Sequence, residues 1–226
     1  MKILSLEAST ELCSAALWCD GAVDVREAHA GQRHSELLLP MTDALLTARN
    51  LRLQDLDGIA FGAGPGSFTG LRIACGIAQG LAFGADLPVL GVGTLLALAE
   101  AAGAARAVCC LDARMGQIYH AAYERHGDDW RVACPPGLYA PEHAPLLEDG
   151  GWTGCGNGFD IYRAALMERY RGQLTAISDR RLPHARDIAA LAARGFARGE
   201  GVPAEQAVPL YVRDKVALRI DERPPR

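Results

Sequence analysis

The sequence predicts an α/β protein made of two similar lobes. Each half of the chain opens with short strands that follow one another closely, and each then continues into helix-bearing units with apolar residues at helical spacing. At 226 residues, half of them hydrophobic, the chain is long enough to bury one large core or two smaller ones. The expected division gives lobes 1–102 and 103–226, and the C-terminal tail could pack back on the first lobe.

The first half contains clear turn and cap signals. Asp20-Gly21 is typical of a tight hairpin between two strands. Leu37, Met41 and Leu45 recur at helical spacing. Ser67 is a good N-cap for a helix that follows a Gly-Pro-Gly turn. The predicted elements are strands at 2–8, 12–19, 22–28, 59–63 and 88–92, and helices at 35–49, 67–84 and 94–102.

The second half repeats this order. Its predicted elements are strands at 107–111, 117–123, 130–134 and 152–158, and helices at 159–170 and 185–197. The repetition indicates duplicated ribonuclease H-like lobes with mixed sheets, which is the two-lobed actin/Hsp70-like (ASKHA) fold.

Charge and cysteine content exclude several classes of protein. The net charge is −4, without the basic stripe of a chain that binds nucleic acid unaided. The only lysines are Lys2 and Lys215, which excludes a Walker A loop. The seven cysteines form no CxxC pair, and Cys109 and Cys110 should point to opposite faces of a strand. Reduced thiols, no leader, and no apolar run of ~20 residues favour a cytoplasmic protein without a membrane span.

The helix at 67–84 carries two rows of small residues at four-residue spacing. One row is Gly70, Ala74, Ala78 and Ala82, and the other is Gly76, Gly80 and Gly84. A glycine inside a helix costs about 0.8–1 kcal/mol relative to alanine, so several glycines need a compensating reason. Two rows predict packing on two sides, namely the lobe's own sheet and something else. Both sides could also be core within one chain.

Several segments of this chain resemble the TsaB family, formerly called YeaZ. The matching segments are Ile3 to Thr10, His34 to Pro40, Gly64-Pro65-Gly66-Ser67-Phe68-Thr69-Gly70-Leu71-Arg72-Ile73, Asp112 to Gly116, and Tyr211 to Lys215. The similarity covers essentially the whole chain. One departure is Glu7, where the family usually has Asp, which puts any role of that carboxylate in doubt.

The resemblance implies a non-catalytic subunit of the machinery that adds threonylcarbamoyl to the tRNA adenosine next to the anticodon. The family pairs with the catalytic paralogue TsaD through its first two helices, and the ATPase TsaE joins the pair. Alone, it forms homodimers through the same helices. No cofactor is expected in the isolated chain, since ATP/ADP and metal belong to partner subunits, and tRNA is reached only through the complex.

The interface residues follow from this resemblance and from the two-sided helices. Apolar residues on more than one side of both helices should leave some partly in water. The expected interface residues are Leu38, Leu45, Leu71, Ile73, Gly76, Ile77, Gly80 and Leu81.

The residues themselves argue against catalysis by this chain. The catalytic paralogues carry a metal-binding histidine pair, yet residues 91–98 of this chain contain no His, Cys, Asp or Glu. The six histidines are scattered without an HExxH motif, and His34 before a helix start is the most noteworthy. Ser67 lacks the flanking glycines of a nucleophile elbow.

A degenerate nucleotide site remains a weaker prediction. Actin-like proteins hold phosphates at two turns, but here Arg114 and Met115 would crowd the second. The residues that could still make a weak nucleotide contact are Ser9, Thr10, Gly64, Gly66, Asp112 and Gly156. A stand-alone enzyme of the same fold (a phosphotransferase or an M22-type metallopeptidase) and a purely structural homodimer are the alternatives.

Overall fold

The computed structural model describes residues 1–213, and its first sheet is built by the first 93 of them. Three antiparallel strands, β1 (Lys2–Glu7), β2 (Leu12–Cys19) and β3 (Ala22–His29), are followed by two that run parallel to β1, β4 (Gly58–Gly64) and β5 (Val89–Gly93). The strand order is β3-β2-β1-β4-β5. Asp20 and Gly21 both have positive φ, which matches the predicted hairpin turn.

The second sheet repeats the first. Its strands are β6 (Arg106–Asp112), β7 (Ile118–His126), β8 (Asp129–Tyr139), β9 (Trp152–Cys155) and β10 (Leu174–Ile177), in the order β10-β9-β6-β7-β8. Relative to its own first strand, this is the same order and the same mixture of antiparallel and parallel pairs. The predicted two-lobed fold with duplicated ribonuclease H-like lobes is therefore confirmed.

Three helices cover the two faces of the first sheet. Helices α1 (His34–Ala48) and α2 (Phe68–Ala85) lie on one face, where leucines of β1 and β2 meet the alanine row of α2. Helix α6 (Ala185–Ala197) lies on the other face, where Ile188 packs near Ile3 and Ala60. Strands β1, β2 and β4 are thus buried on both sides, which explains their nearly continuous apolar runs, whereas the edge strand β3 has no fully buried residue.

The second sheet is also covered on both faces. Helix α3 (Thr94–Ala102) packs against one face, while α4 (Gly158–Ile161) and α5 (Arg163–Arg169) pack against the other. Cys109 belongs to the first of these cores and Cys110 to the second, so their side chains point to opposite faces as predicted. The boundary at 102/103 separates the strands of the two sheets, but α3 and α6 each pack across it.

Three elements differ from the prediction. The helix predicted at 159–170 is divided at Tyr162, whose hydroxyl donates to Asp112 Oδ1 at 2.9 Å. Strand β8 runs past Pro135 and Pro136, which an edge strand tolerates because it need not donate on its open side. The short edge strand β10 was not predicted. Of the Tyr211–Lys215 segment, residues 214 and 215 lie outside the described part of the chain.

Helix α2 is, by length and a mean hydropathy of 1.2, the one described helix apolar enough to cross a membrane. That test rests on length and composition alone. In the structure its alanine row packs against β4 and β1, as in the core helix of a globular lobe.

Candidate functional site

The turn between β4 and α2 brings the backbone of the first strand very close to the helix. Ser67 caps α2, since its hydroxyl accepts the Gly70 N–H at 3.3 Å, as predicted. The Ser67 N–H donates to the Ser9 carbonyl at 2.7 Å. A Cβ at Gly70 would overlap the Ala8 carbonyl oxygen, and one at Gly66 would lie 2.5 Å from Ser9 Cβ. These two glycines are needed for the helix to start against the β1–β2 turn.

A cleft of ≈ 400 Å³ lies between the lobes at this point. Four of the six residues predicted for a weak nucleotide contact line it: Ser9, Thr10, Gly66 and Asp112. The other two serve the fold. A Cβ at Gly64 would lie 2.6 Å from the Leu210 carbonyl oxygen, and one at Gly156 would overlap the Cys110 carbonyl.

The polar groups of Asp112 at the second turn of the cleft are already engaged. The Asp112 carboxylate accepts hydrogen bonds from the Arg114 N–H and the Tyr162 hydroxyl, both at 2.9 Å. The Asp112 N–H donates to Asn157 Oδ1 at 2.9 Å. Arg114 and Met115, both at positive φ, line the cleft at the second turn, where the sequence predicted crowding. The second turn therefore offers few free groups to a tightly held phosphate, whereas the Ser9 hydroxyl at the first turn has no hydrogen-bond partner among residues 1–213.

Glu7 lies inside the first lobe rather than on the cleft surface. Its side chain is fully buried, and it accepts the Ser9 N–H at 2.5 Å. Burial raises the pKa of this carboxyl, against the opposing effect of hydrogen bonding from Ser9. A Cβ at Gly62 would overlap the carboxylate, so position 62 leaves the room that the longer side chain needs.

The histidines take structural positions. His34 Nε2 lies 2.7 Å from the Thr10 carbonyl oxygen, which ties the start of α1 to the β1–β2 turn. His184 Nδ1 accepts the Arg186 N–H and caps α6. His120 is buried beside the Tyr170 hydroxyl, and burial lowers its pKa to about 4. Within residues 1–213 no three His, Cys, Asp or Glu side chains converge in a group that could hold a metal ion.

Helix α2 presents one small-residue row to its own lobe and the other to solvent. The row Gly70, Ala74, Ala78 and Ala82 is buried. Gly76, Gly80 and Gly84 are exposed, and a Cβ at any of them would meet nothing within 4 Å. Packing of one row on the lobe's own sheet is therefore confirmed, whereas packing of the second row on something else stays a prediction. The exposed glycines have no packing reason within the described residues.

The expected exposure of three interface residues was wrong. Leu38 and Leu45 on α1 are 0% exposed because they belong to the core over the first sheet. Leu71 on α2 is 1% exposed and lies beside Gly64 in the lining of the cleft. Ile73, Ile77 and Leu81 are partly buried and border the core. Periodicity could not show which side of each helix faces the sheet, because leucines lie on both sides.

The sequence analysis also missed two exposed apolar side chains. Phe83 is 81% exposed and Leu39 is 47% exposed. Phe83 lies three residues after Gly80, on the same side of the helix, so the glycine row itself could have identified it. We call the exposed surface formed by Leu39 of α1 and by Arg72, Gly76, Gly80, Phe83 and Gly84 of α2 the α1–α2 face.

A C-terminal strap, residues 207–213, joins α2 to the second lobe. The Ala207 carbonyl accepts the Gln79 side-chain amide at 2.9 Å, and the Leu210 N–H donates to the Ala63 carbonyl at 2.7 Å. At its end, Arg213 donates to Gln117 Oε1 at 2.7 Å, in the β6–β7 turn. The strap therefore forms one wall of the cleft and borders α2.

The chain was compared with known protein families and structures. The family model described as "TsaD: tRNA N6-adenosine threonylcarbamoyltransferase" matches residues 27–219. The chain is 38% identical over 229 residues to the tRNA threonylcarbamoyladenosine biosynthesis protein TsaB of Escherichia coli (strain K12), covering 97% of each chain. It is 35% identical to the TsaB protein of Haemophilus influenzae, covering 97% of this chain and 96% of the relative.

A solved structure described as YeaZ from Pseudomonas aeruginosa superimposes with a TM-score of 0.85 at 40% identity, covering 93% of this chain and 99% of that one. Sequence and structure agree over nearly the full length of each protein. The predicted resemblance is confirmed, and the chain belongs to the TsaB family of tRNA threonylcarbamoyladenosine biosynthesis proteins.

Proposed function

We propose that this chain is a non-catalytic subunit that binds a TsaD-like threonylcarbamoyltransferase through its α1–α2 face. The observation that carries the proposal is the row Gly76, Gly80 and Gly84. Each glycine costs helix stability of about 0.8–1 kcal/mol relative to alanine, and none of them has a neighbour among residues 1–213 that requires it. A partner helix that approaches the backbone closely supplies the missing reason.

The remainder of the face has the composition of an interface. Phe83 exposes a large aromatic side chain beside the glycines, and aromatic residues are enriched in interface centres. Leu39 exposes a second apolar side chain on α1. Ile73 and Leu81 are only partly buried and border the same surface. A standard interface buries ~800 Å² on each partner, which two helices of this length can supply.

A supporting role is favoured over independent catalysis by the chemistry of the cleft. Asp112 is held by Arg114 and Tyr162, and His120 is buried away from the cleft with a lowered pKa. In this proposal, ATP/ADP and metal are bound by partner subunits, including a TsaE-like ATPase. A weak nucleotide contact at Ser9, Thr10 and Gly66 would be shared with that assembly.

The same face would form a homodimer when the chain is alone. The net charge of −4 favours indirect contact with tRNA, since direct binding normally draws on a basic surface. Such an assembly is expected in the cytoplasm, where its tRNA substrate is modified.

The test is to place a long charged side chain on the glycine row. We expect Gly80→Arg to give a folded chain that no longer binds the threonylcarbamoyltransferase subunit of the same organism, because the cation would be desolvated without a pair. Affinity is measured by biolayer interferometry, folding by circular dichroism, and modified adenosine in cellular tRNA by nucleoside mass spectrometry.

Ala164→Arg provides the matched control, since it adds the same charge at an exposed helical position of the second lobe. This control should bind and support modification normally. If Gly80→Arg folds, binds and supports modification as the control does, the proposed function of the α1–α2 face is wrong.

A further inference from the structure

Arg72 occupies the first position of the exposed row on α2. It precedes Gly76, Gly80 and Gly84 at four-residue spacing, and like them it is exposed. Helical side chains lean toward the N-terminus, so Arg72 reaches back over Phe68 and away from the glycines. It therefore lies at the end of the α1–α2 face that adjoins the cleft.

Two aromatic rings hold the Arg72 guanidinium in place. Its Cζ lies 3.6 Å from the ring centroid of Phe68 and 5.7 Å from that of Tyr211. Arg72 Nε donates to the Tyr211 hydroxyl at 2.9 Å. The Phe68 and Tyr211 rings are themselves packed, with centroids 5.2 Å apart. A side chain with high rotamer freedom is thus restricted to one orientation at an exposed position.

Within residues 1–213, the guanidinium of Arg72 forms no ion pair with a carboxylate. Other ordered arginines do: Arg125 and Arg194, for example, both pair with Glu100. The bond to Tyr211 uses only Nε, which leaves the two terminal nitrogens to donate elsewhere. An oriented guanidinium of this kind matches the two oxygens of a carboxylate.

We infer that Arg72 is a specificity-determining residue that binds an acidic side chain of the partner subunit docked on the α1–α2 face. This inference rests on the proposed function. The surroundings favour a protein carboxylate over a nucleic-acid phosphate, because the row that continues from Arg72 consists of glycines and Phe83. The cations of the adjoining cleft are engaged, since Arg114 pairs with Asp112 and Arg213 donates to Gln117. The aromatic stack lowers the entropy lost on pairing, since the guanidinium is ordered before the partner arrives.

The strap connects this contact to the cleft, because Tyr211 belongs to both. Tyr211 is part of the strap that joins Ala63 to Gln117, and it lines the cleft together with Phe68. An acidic side chain bound to Arg72 therefore lies next to the Phe68–Tyr211 pair at the mouth of the cleft.

The experiment measures binding of the purified chain to the threonylcarbamoyltransferase subunit of the same organism, at ionic strengths from about 0.05 to 0.5 M. The wild-type chain should bind more weakly as salt rises. Arg72→Gln should bind about tenfold more weakly at low salt, with a flatter salt dependence, because the charge pair is lost. Arg72→Lys should keep the salt dependence but not the full affinity, since a point charge replaces the planar fork.

Arg171→Gln is the matched control, since it removes one exposed arginine from the second lobe. It should bind as the wild-type chain does. Melting curves of all variants are recorded, and Tyr211→Phe should bind more weakly than wild type while keeping its ring stack, because only the acceptor for Nε is removed.

Equal affinity and equal salt dependence of Arg72→Gln and Arg171→Gln would overturn the inference while leaving the proposed function intact. The inference would also be overturned if Arg72→Gln lost tRNA binding while it bound the subunit as the wild-type chain does. If Arg72→Lys bound the subunit with full affinity, the contact would not need the planar, stacked guanidinium. Failure of the wild-type chain to bind the subunit would overturn the proposed function and this inference together.

Discussion

At the scale of single residues, the glycines within α2 and in the turn before it fall into groups with different physical reasons. Gly66 and Gly70 allow the backbone of the β1–β2 turn to approach the helix start. Gly76 and Gly80 have open space where a Cβ would be. Sequence reasoning predicts that glycines in a helix need a compensating reason, but the three-dimensional neighbours decide whether that reason lies inside the chain.

The structural role of Glu7 could not be predicted from the sequence. The sequence shows Glu where the family usually has Asp, but not how the longer side chain is packed. The extra methylene is accommodated by Gly62, which is 55 residues away in the chain and joins it only through the pairing of β1 with β4. The carboxyl is part of the packing of the lobe, with a pKa raised by burial.

We expect Glu7→Gln to change how stability depends on pH. A raised pKa in the folded state means that the protonated carboxyl contributes its full stability below the unfolded value near 4.5, and that this contribution declines as pH rises toward the folded value. Glutamine stays neutral, so the free energy of unfolding of the variant should increase relative to that of the wild type as pH rises. Urea denaturation of both chains between about pH 4 and pH 8 measures this. Parallel curves would contradict the burial of an acid with a raised pKa.

At the scale of elements, boundaries were predicted better than faces. Helix α3 and helix α6 begin and end where the sequence predicted. Helix α1 carries leucines on several sides, so the residues that face the sheet depend on its orientation over β2 and β3. The assignment of Leu38 and Leu45 failed for that reason.

Alanine substitutions in the glycine row should separate stability from binding. We expect Gly76→Ala with Gly80→Ala to raise the free energy of unfolding by about 1.5–2 kcal/mol, since each change removes a helix-destabilising glycine in open space. The same variant should bind the threonylcarbamoyltransferase subunit less tightly, because the added methyl groups hold the partner helix away. Urea denaturation and biolayer interferometry give the two quantities.

Gly70→Ala near the start of α2 is the contrasting control. A Cβ there would overlap the backbone carbonyl oxygen of Ala8, so this variant should lose stability although the helix propensity improves. If the double alanine variant is stabilised and binds as tightly as the wild type, the glycines do not serve a close helix contact.

At the scale of the whole molecule, the element order predicted the duplicated fold, but not how the two lobes are joined. Helix α3 follows the first sheet in sequence and packs on the second, while α6 follows the second and packs on the first. The strap adds a third connection through Arg213 and Gln117. Such long-range contacts between elements leave no periodic signal. The sequence indicated a C-terminal tail that packs back on the first lobe and several residues that line the cleft, but not the contacts that join the lobes.

Glu100 on α3 is the polar centre of this connection. It accepts hydrogen bonds from Arg194 of α6, and from Arg125 and Trp130 Nε1 of the second sheet, the last at 2.7 Å. Burial opposes ionisation of this carboxyl, but the hydrogen bonds from Arg194 and Trp130 outweigh it and hold the pKa below its ordinary value. One carboxylate therefore links a helix packed on the first sheet to two strands of the second.

We expect Glu100→Gln to lower stability by about 2 kcal/mol, less than the ~3–5 kcal/mol for breaking a fully buried pair, because both arginines remain partly exposed. Since the folded-state pKa is depressed, the wild-type contribution is present above the unfolded value of 4.5 and is lost as pH falls through the folded value. The variant should therefore lack this part of the acid destabilisation.

Glu124→Gln is the matched control, because Glu124 pairs with Arg106 and Arg131 inside the second sheet. Hydrogen exchange should show α6 and the first sheet opening separately from the second sheet only in Glu100→Gln. Equal losses in both variants, with the lobes still opening together, would show that Glu100 does not couple them.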